Sequence, residues 1–284
     1  MPEAKPIGVF DSGYGGLTIL SDFNRILPEY DFIYLGDNAR APYGNRSFES
    51  VYHYTREAVQ WFFQQGCALV ILACNTASAK ALRTIQQHDL VEMKTGNRVL
   101  GVIRPTTEII GRFTRSKHVG ILATSGTVLS ESYPIEIHKF FPDVKIYQQA
   151  CPMWVPLIEN NEHDKPGADY FVNEYLEKLF AQSGEIDCIL LGCTHYPLIK
   201  KKISERIPKE VKIISQGEIV AESLKEYLER HPEINEQCSK KEINYFYTTD
   251  SAEDFDRHAS IFYGRTLYSK HVVLLPWNDK IKSA

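Results

Sequence analysis

Two stretches of the chain decide its fold: Leu69-Val-Ile-Leu-Ala-Cys-Asn-Thr76 and Cys188-Ile-Leu-Leu-Gly-Cys-Thr-His195. Each is a short apolar run that ends in a cysteine followed by polar residues, and such a run is typical of a strand buried on both faces of a parallel sheet. A second pair of stretches matches in the same way, Ile7-Gly-Val-Phe-Asp-Ser-Gly13 and Val119-Gly-Ile-Leu-Ala-Thr-Ser-Gly126. Within each pair, the first stretch is separated from the second by nearly the same length of chain. The sequence therefore predicts two similar halves.

The rest of the chain continues this alternation of short apolar runs and amphipathic stretches. Further strands are predicted at Phe32–Leu35, Val99–Ile103, Val144–Tyr147, Val211–Ile214, Ile243–Thr248 and His271–Leu275. Helices are predicted from Phe48 to Phe63 with Ser47 as the N-cap, and at Ala77–Gln87, Tyr170–Gln182 and Glu218–Arg230, with a loop at Pro232–Glu242. The fold class is therefore α/β, with two pseudosymmetric domains that each contain a mostly parallel sheet flanked by helices. We assign residues 1–98 plus 211–284 to the first domain and residues 99–210 to the second.

Composition excludes several classes of function. The 284 residues carry a net charge of −4, which gives no electrostatic case for binding nucleic acid or an anionic membrane. No apolar run is long enough to span a bilayer, and the N-terminal residues lack the order of a signal peptide. Six cysteines in such a chain favour reduced thiols and a cytoplasmic location. No second pair of ligands at structural-zinc spacing accompanies Cys188, Cys193 and His195, so we predict no metal site.

Cys74 and Cys193 are the strongest candidates for chemistry. Each follows a predicted strand and precedes a predicted helix, so the positive end of a helix dipole would favour its thiolate. A lone cysteine is more often a buried structural residue, but two in matching positions favour function. Inversion of a stereocentre by proton transfer needs a base on one face and an acid on the other, and two opposed thiols meet this need.

Other polar residues at predicted strand ends complete the candidate site. Asp11 ends the first strand within a glycine-rich segment that allows close approach to a ligand. Thr18 stands where a third nucleotide-binding glycine would be, and no Gly-Lys-Ser/Thr follows, so nucleotide binding is weakly supported. His195 is placed to share a proton with Cys193. Short polar side chains, together with backbone N–H groups, can bind carboxylates. The residues at strand ends with such side chains are Ser12, Asn75, Thr76, Thr124 and Thr194.

Several motifs together resemble the glutamate racemases of the aspartate/glutamate racemase superfamily. They are Asp11-Ser-Gly-Tyr-Gly-Gly-Leu-Thr18, Gly36-Asp37 with Pro42-Tyr-Gly44, Cys74-Asn-Thr-Ala-Ser78, Ala123-Thr-Ser-Gly-Thr127, Cys151-Pro-Met-Trp-Val-Pro-Leu-Ile-Glu159 and Gly192-Cys-Thr-His-Tyr-Pro197. They extend over most of the chain in the family's order, and as a set they are highly specific.

The resemblance implies a cofactor-independent racemase with its site in the cleft between the domains. Cys193 would act on L-glutamate and Cys74 on D-glutamate, with Asp11 supporting Cys74, and His195 and Glu159 supporting Cys193. Substrate contacts would come from Asp11, Ser12, Tyr43, Gly44, Asn75, Thr76, Thr194 and His195, and we add Thr124 from its place at a strand end. The product, D-glutamate, would supply peptidoglycan synthesis, and a homodimer is compatible with the resemblance. Arg104-Pro-Thr106 departs from the family, which usually has a small residue after this proline, and this difference leaves the local shape of the cleft open.

Other functions remain open at this point. An aspartate racemase or another racemase of the superfamily would differ in pocket length, which sequence does not measure. A decarboxylase relative would need only one of the two cysteines. A hydrolase or transferase with Cys193 and His195 as nucleophile and base would leave Cys74 and Asp11 without a role. A binding protein for amino acids is the remaining alternative.

Overall fold

The computed structural model describes residues 5–93 and 96–277, and its core is two parallel β-sheets. The strands are β1 (Ile7–Asp11), β2 (Phe32–Gly36), β3 (Leu69–Leu72), β4 (Arg98–Gly101), β5 (His118–Ala123), β6 (Lys145–Ala150), β7 (Cys188–Gly192), β8 (Lys212–Ile214), β9 (Asn244–Thr248) and β10 (Ser269–His271). The larger sheet has the order β10-β9-β2-β1-β3-β4, and the smaller one has the order β6-β5-β7-β8. The order β2-β1-β3-β4 is thus repeated by β6-β5-β7-β8, which confirms the predicted pseudosymmetry of the fold.

Helices cover the sheets. They are α1 (Gly16–Ile26), α2 (Phe48–Gln64), α3 (Asn75–Lys80), α4 (Leu82–Thr84), α5 (Leu90–Met93), α6 (Ile103–Thr107), α7 (Ser125–Leu129), α8 (Ser132–Phe140), α9 (Trp154–Glu159), α10 (Pro166–Gln182), α11 (Lys200–Ser204), α12 (Gly217–Arg230), α13 (Pro232–Asn235) and α14 (Ala252–Tyr263). Short 3₁₀ turns lie at Asn38–Arg40, Ile110–Arg112 and Tyr196–Ile199, and a π turn lies at Ile85–Asp89. Among the described residues, no helix is long and apolar enough to cross a membrane.

The start and end of individual helices follow local sequence signals. Ser47 caps α2 as predicted, since its hydroxyl accepts the backbone N–H of Ser50 at 3.1 Å. Val51, Val59 and Phe62 are buried at helical spacing on the inner face of α2. Helix α14 ends at Gly264, whose φ of 77° lies in the left-handed region that favours glycine.

Several predicted elements differ from the structure. The run Val99–Ile103 is a strand only to Gly101, because Val102 caps α6. The predicted helix Ala77–Gln87 is broken into α3, α4 and the π turn. The predicted loop Pro232–Glu242 begins with α13, where proline occupies the first helical turn. The last strand is Ser269–His271, so residues 272–275 were wrongly included in it.

Sheet membership also crosses both predicted domain boundaries. Strand β4 pairs with β3 in the larger sheet, although Val99–Gly101 were assigned to the second domain. Strand β8 pairs with β7 in the smaller sheet, although it was assigned to the first. Each boundary was placed before a strand that still belongs to the preceding sheet. The division into domains otherwise stays a prediction, and its residues 1–4, 94–95 and 278–284 lie outside the described ranges.

Candidate active site

A small cleft lies where the carboxyl ends of strands from the two sheets meet. Its volume is about 40 Å³. The residues that line it come from both halves of the chain: Ser12, Pro42, Tyr43, Gly44, Asn45, Cys74, Asn75, Thr76, Thr124, Cys151, Pro152, Val155, Pro156, Glu159, Cys193, Thr194 and His195. Ligands in parallel α/β sheets bind beyond the carboxyl ends of the strands, and both candidate thiols are found there.

Cys74 caps the N-terminus of α3. Its Sγ accepts the backbone N–H of Ala77 at 3.4 Å and donates to Ser12 Oγ at 3.5 Å. Burial raises the pKa of this thiol to about 12, and the negative charge of Asp11 acts in the same direction. The hydrogen bonds to Ser12 and Ala77 lower the pKa without overcoming burial. The N-terminus of the helix thus acts in the direction that the sequence predicted, but burial has the larger effect on this thiol.

Asp11 lies at the end of β1 and is almost completely buried. Its Oδ2 accepts the backbone N–H of Gly13 at 3.0 Å, whereas Oδ1 has no hydrogen-bond partner among the described residues. Burial raises the pKa of this carboxyl, against the opposing effects of His195 and of the N–H groups of Gly13 and Gly16. A carboxyl with raised proton affinity therefore lies in the electrostatic environment of Cys74, as a proton carrier for that thiol would require.

Cys193, His195 and Glu159 form a chain of contacts on the other side of the cleft. Cys193 Sγ lies 3.8 Å from His195 Nδ1, and His195 Nε2 lies 2.9 Å from Glu159 Oε1. Burial alone would lower the pKa of His195, but its hydrogen bonds to Cys193 and Glu159 hold that pKa well above its usual value. The imidazole that lies beside Cys193 therefore has a raised proton affinity.

The two halves contact each other directly at the site. Thr18 Oγ1 donates to the carbonyl of Thr194 at 3.0 Å, and the amide of Gly126 donates to the carbonyl of Gly44 at 2.8 Å. A Cβ atom added at Gly15 would overlap Thr194 Oγ1 and His195 Nδ1. These contacts fix the position of the Cys193 side of the cleft relative to the Cys74 side.

The predicted site residues are brought together with one exception. Ser12, Tyr43, Gly44, Asn75, Thr76, Thr124, Thr194 and His195 all line the cleft, as do Cys74, Cys193 and Glu159. Asp11 does not line it. The individual roles of these residues stay predictions.

Some lining residues escaped the sequence analysis. Cys151 adds a third buried thiol and Asn45 an amide. Cys151 begins one of the motifs quoted above, and this was the available signal. Neither Arg104 nor Thr106, at the departure from the family pattern, lines the cleft. Arg104 is an exposed partner of Glu108.

A metal site and a second groove are the alternatives to this cleft. In the described part of the chain, no cluster of three or more His, Cys, Asp or Glu side chains could hold a metal ion. A larger groove of about 710 Å³ is lined by residues such as Leu82, Leu100 and Tyr227. None of the described residues lining it is a cysteine. The small cleft is therefore the candidate active site.

Comparison with known proteins identifies the class to which this fold and site belong. A family model described as Asp/Glu/Hydantoin racemase matches residues 11–224. A glutamate racemase from Geobacter metallireducens is 38% identical over 95% of this chain and 97% of its own length. One from Streptococcus suis is 35% identical over 96% of this chain and 100% of its own.

Solved structures give the same result. A glutamate racemase isoform from Bacillus anthracis superimposes with a TM-score of 0.86 at 33% identity, covering 95% of this chain and 98% of that one. The enzyme from Francisella tularensis, solved with D-glutamate, gives 0.84 at 30% identity with the same coverage. The chain belongs to the Asp/Glu/hydantoin racemase family, and within it to the glutamate racemases.

Proposed function

We propose that this isomerase interconverts L- and D-glutamate with Cys74 and Cys193 as its two acid/base groups and without a cofactor. The observation that carries this proposal is the position of the two thiols, which line one cleft from the two pseudosymmetric halves. A different titratable side chain accompanies each thiol. Asp11 is coupled to Cys74, and His195 contacts Cys193.

The reaction is a transfer of one proton to and one proton from the α-carbon. In the L-to-D direction the Cys193 thiolate removes the α-proton, and the electron pair stays on the α-carbon as a planar carbanion. The Cys74 thiol then gives its proton to the opposite face, which leaves Cys74 as the thiolate. The reverse direction exchanges these roles, so each residue acts as both acid and base.

Proton affinities in the cleft support this assignment. The raised pKa of Cys74 keeps it protonated and ready to donate, whereas the raised pKa of His195 places a cation beside Cys193. The proposal thus assigns the acid to Cys74 and the base, with a cation beside it, to Cys193 in the L-to-D direction. We assign to Asp11 the role of receiving the Cys74 proton when the direction reverses.

Uncharged groups supply the binding of the substrate carboxylates. Asn75 Nδ2 is buried and has no partner among the described residues, which leaves an amide donor for a ligand. Thr76 and Thr124 contribute hydroxyls from the two halves, 3.0 Å apart. Donors of this kind gain strength where water is excluded.

The alternative of a Cys–His hydrolase rests on the contact between Cys193 and His195. It predicts that Cys74→Ala retains activity, because hydrolysis needs one nucleophile and one base. The racemase proposal predicts complete loss of racemisation in Cys74→Ala and in Cys193→Ala, since each variant lacks a proton donor on one face.

Proton exchange in heavy water is the decisive experiment. Cys74→Ala keeps Cys193 and should incorporate deuterium into L-glutamate without forming D-glutamate. Cys193→Ala should exchange D-glutamate only. Mass spectrometry and circular dichroism measure the two outcomes, and Cys238→Ala serves as a control for loss of a buried thiol outside the cleft. Racemisation by a folded Cys74→Ala or Cys193→Ala variant would refute the two-thiol mechanism. The same assay with L-aspartate tests the aspartate alternative.

We extend the proposal to the setting of the enzyme. A cytoplasmic location is supported by six cysteines that are free and buried, and the product would enter peptidoglycan synthesis. Exposed apolar side chains on α7 and α8, including Leu129 and Ile135, support a homodimer that covers them. Light scattering of wild type and of Leu129→Ser tests that assembly.

A further inference from the structure

A buried hydrogen-bonded chain reaches the cleft from its supporting side. Gln216 Nε2 donates to Tyr133 Oη at 2.9 Å, and Tyr133 Oη donates to Asn75 Oδ1 at 2.7 Å. All three side chains are at most 3% exposed. Tyr133 belongs to α8 in the second half, whereas Asn75 begins α3 in the first half. The chain therefore crosses between the halves directly behind a residue that lines the cleft.

The direction of each hydrogen bond in this chain is fixed by its neighbours. The carbonyl oxygen of Val102 can only accept, and it lies 3.2 Å from Gln216 Nε2, so the amide nitrogen of Gln216 must face it. Tyr133 Oη then accepts from Gln216 and has its single proton left for Asn75. This proton needs an acceptor, so Asn75 must present Oδ1 to Tyr133 and direct Nδ2 elsewhere.

The Gln216 end of this series of hydrogen bonds contacts both segments that connect the two sheets. Gln216 caps α12 just after β8, and Val102 caps α6 just after β4. Gln216 Nε2 also lies 3.2 Å from Thr106 Oγ1 in α6. Thr106, at the family departure noted in the sequence, is thus part of the support of the site although it does not line the cleft.

We infer that Tyr133 and Gln216 are positioning residues that orient the Asn75 amide so that its N–H group faces a substrate carboxylate. The inference rests on the proposed function, because the carboxylate is that of glutamate. Tyr133 acts on Asn75 directly and Gln216 acts through Tyr133. Thr106 assists Gln216. The effect of each residue on substrate binding should therefore decrease with its distance from Asn75 along this series of hydrogen bonds.

Kinetics of Tyr133→Phe test the inference. Without the phenolic proton Asn75 is free to turn, and the loss of a directed bond to a charged group should raise KM roughly tenfold, equal to about 1.4 kcal/mol. The increase should be equal for both enantiomers, with kcat within about twofold, because the contact is made equally in the ground and transition states.

A matched control separates positioning from general stability. Tyr30 is also buried, and its hydroxyl donates to Asn235 Oδ1 at 2.8 Å outside the cleft. Tyr30→Phe should lower the free energy of unfolding and leave KM unchanged. A double-mutant cycle completes the test. Asn75→Ala alone should raise KM, and Tyr133→Phe added to it should change KM by less than about twofold.

Gln216→Met keeps the inference testable if Tyr133→Phe does not fold. It should raise KM by a smaller factor than Tyr133→Phe, and Thr106→Val by a smaller factor still. An unchanged KM in a folded Tyr133→Phe, or in Gln216→Met, would overturn the inference alone. A full additional effect of Tyr133→Phe in the Asn75→Ala background would overturn it as well. Absence of glutamate racemisation in the wild type would overturn the proposed function, and the inference with it.

Discussion

Cys74 and Cys193 occupy the same register position in the two sheets. In each half, the residue four positions before the thiol pairs with a glycine of the central strand, Gly8 in the larger sheet and Gly120 in the smaller one. Each cysteine then stands one residue or two beyond the end of its strand. The two thiols are therefore related by the same internal symmetry as the sheets, as the proposed two-thiol mechanism requires.

Replacement of Asp11 by asparagine should slow the enzyme without unfolding it. The change removes a titratable group whose pKa is raised beside Cys74, and loss of such assistance typically costs ~10²–10⁴-fold in rate. Because the equilibrium constant between enantiomers is one, kcat/KM must fall equally in both directions. The individual kcat values should differ, with the larger loss when Cys74 acts as the base on D-glutamate.

Asp31→Asn is the matched control for this prediction. Asp31 is equally buried, and its carboxylate accepts the backbone N–H groups of Lys241 and Ile243. Its replacement should lower stability and leave kcat intact. Initial rates measured by circular dichroism decide the matter. A turnover number near that of wild type in Asp11→Asn, in both directions, would remove Asp11 from the mechanism.

The contribution of His195 to stability should depend on pH. Its pKa is raised in the folded protein, so its stabilising effect is fully present below the unfolded value of about 6.5 and is lost as the pH rises through the folded pKa. His195→Asn should therefore lower the free energy of unfolding more at pH 6 than at pH 10. Urea denaturation of both proteins across this range measures the difference. Glu159→Gln should weaken the same dependence, and a pH-independent difference would contradict the raised pKa.

Gly15→Ala should impair catalysis through steric overlap. The added methyl group would meet Thr194 Oγ1 and His195 Nδ1, both on the Cys193 side of the cleft. We expect a fall in kcat/KM of at least about tenfold, since small displacements of reacting groups are costly. Gly167→Ala is the control, because its Cβ would have no atom within 4 Å. Equal activity of Gly15→Ala and Gly167→Ala would show that the two halves do not need this close contact.

The sequence predicted those parts of the fold that depend on local pattern. Continuous apolar runs located β1, β5 and β7, because a strand that is buried on both faces has apolar residues at successive positions. The same pattern failed after Gly101, since a short apolar run does not distinguish a strand from a buried helix. It failed again at residues 272–275, where Val272 and Leu274 pack against the core outside β10.

The residues of the candidate site were also predicted only in part. Cys74 and Cys193 were found because each carries its own local signal, a strand end next to a helix start. Tyr133 and Gln216 were not found, because their polar partners lie far away in sequence. Tyr133 is 58 residues from Asn75, and Gln216 is 83 residues from Tyr133. Contacts of this kind depend on the packing of the two halves, which no local pattern encodes.

The small volume of the cleft has a consequence for repeated turnover. About 40 Å³ has room for on the order of three waters, so few solvent molecules can contact the thiols at once. In the proposed mechanism, one L-to-D conversion leaves the proton on Cys193 and the thiolate on Cys74, which is the form suited to D-glutamate. The released enzyme would then have to move one proton before it accepts L-glutamate again.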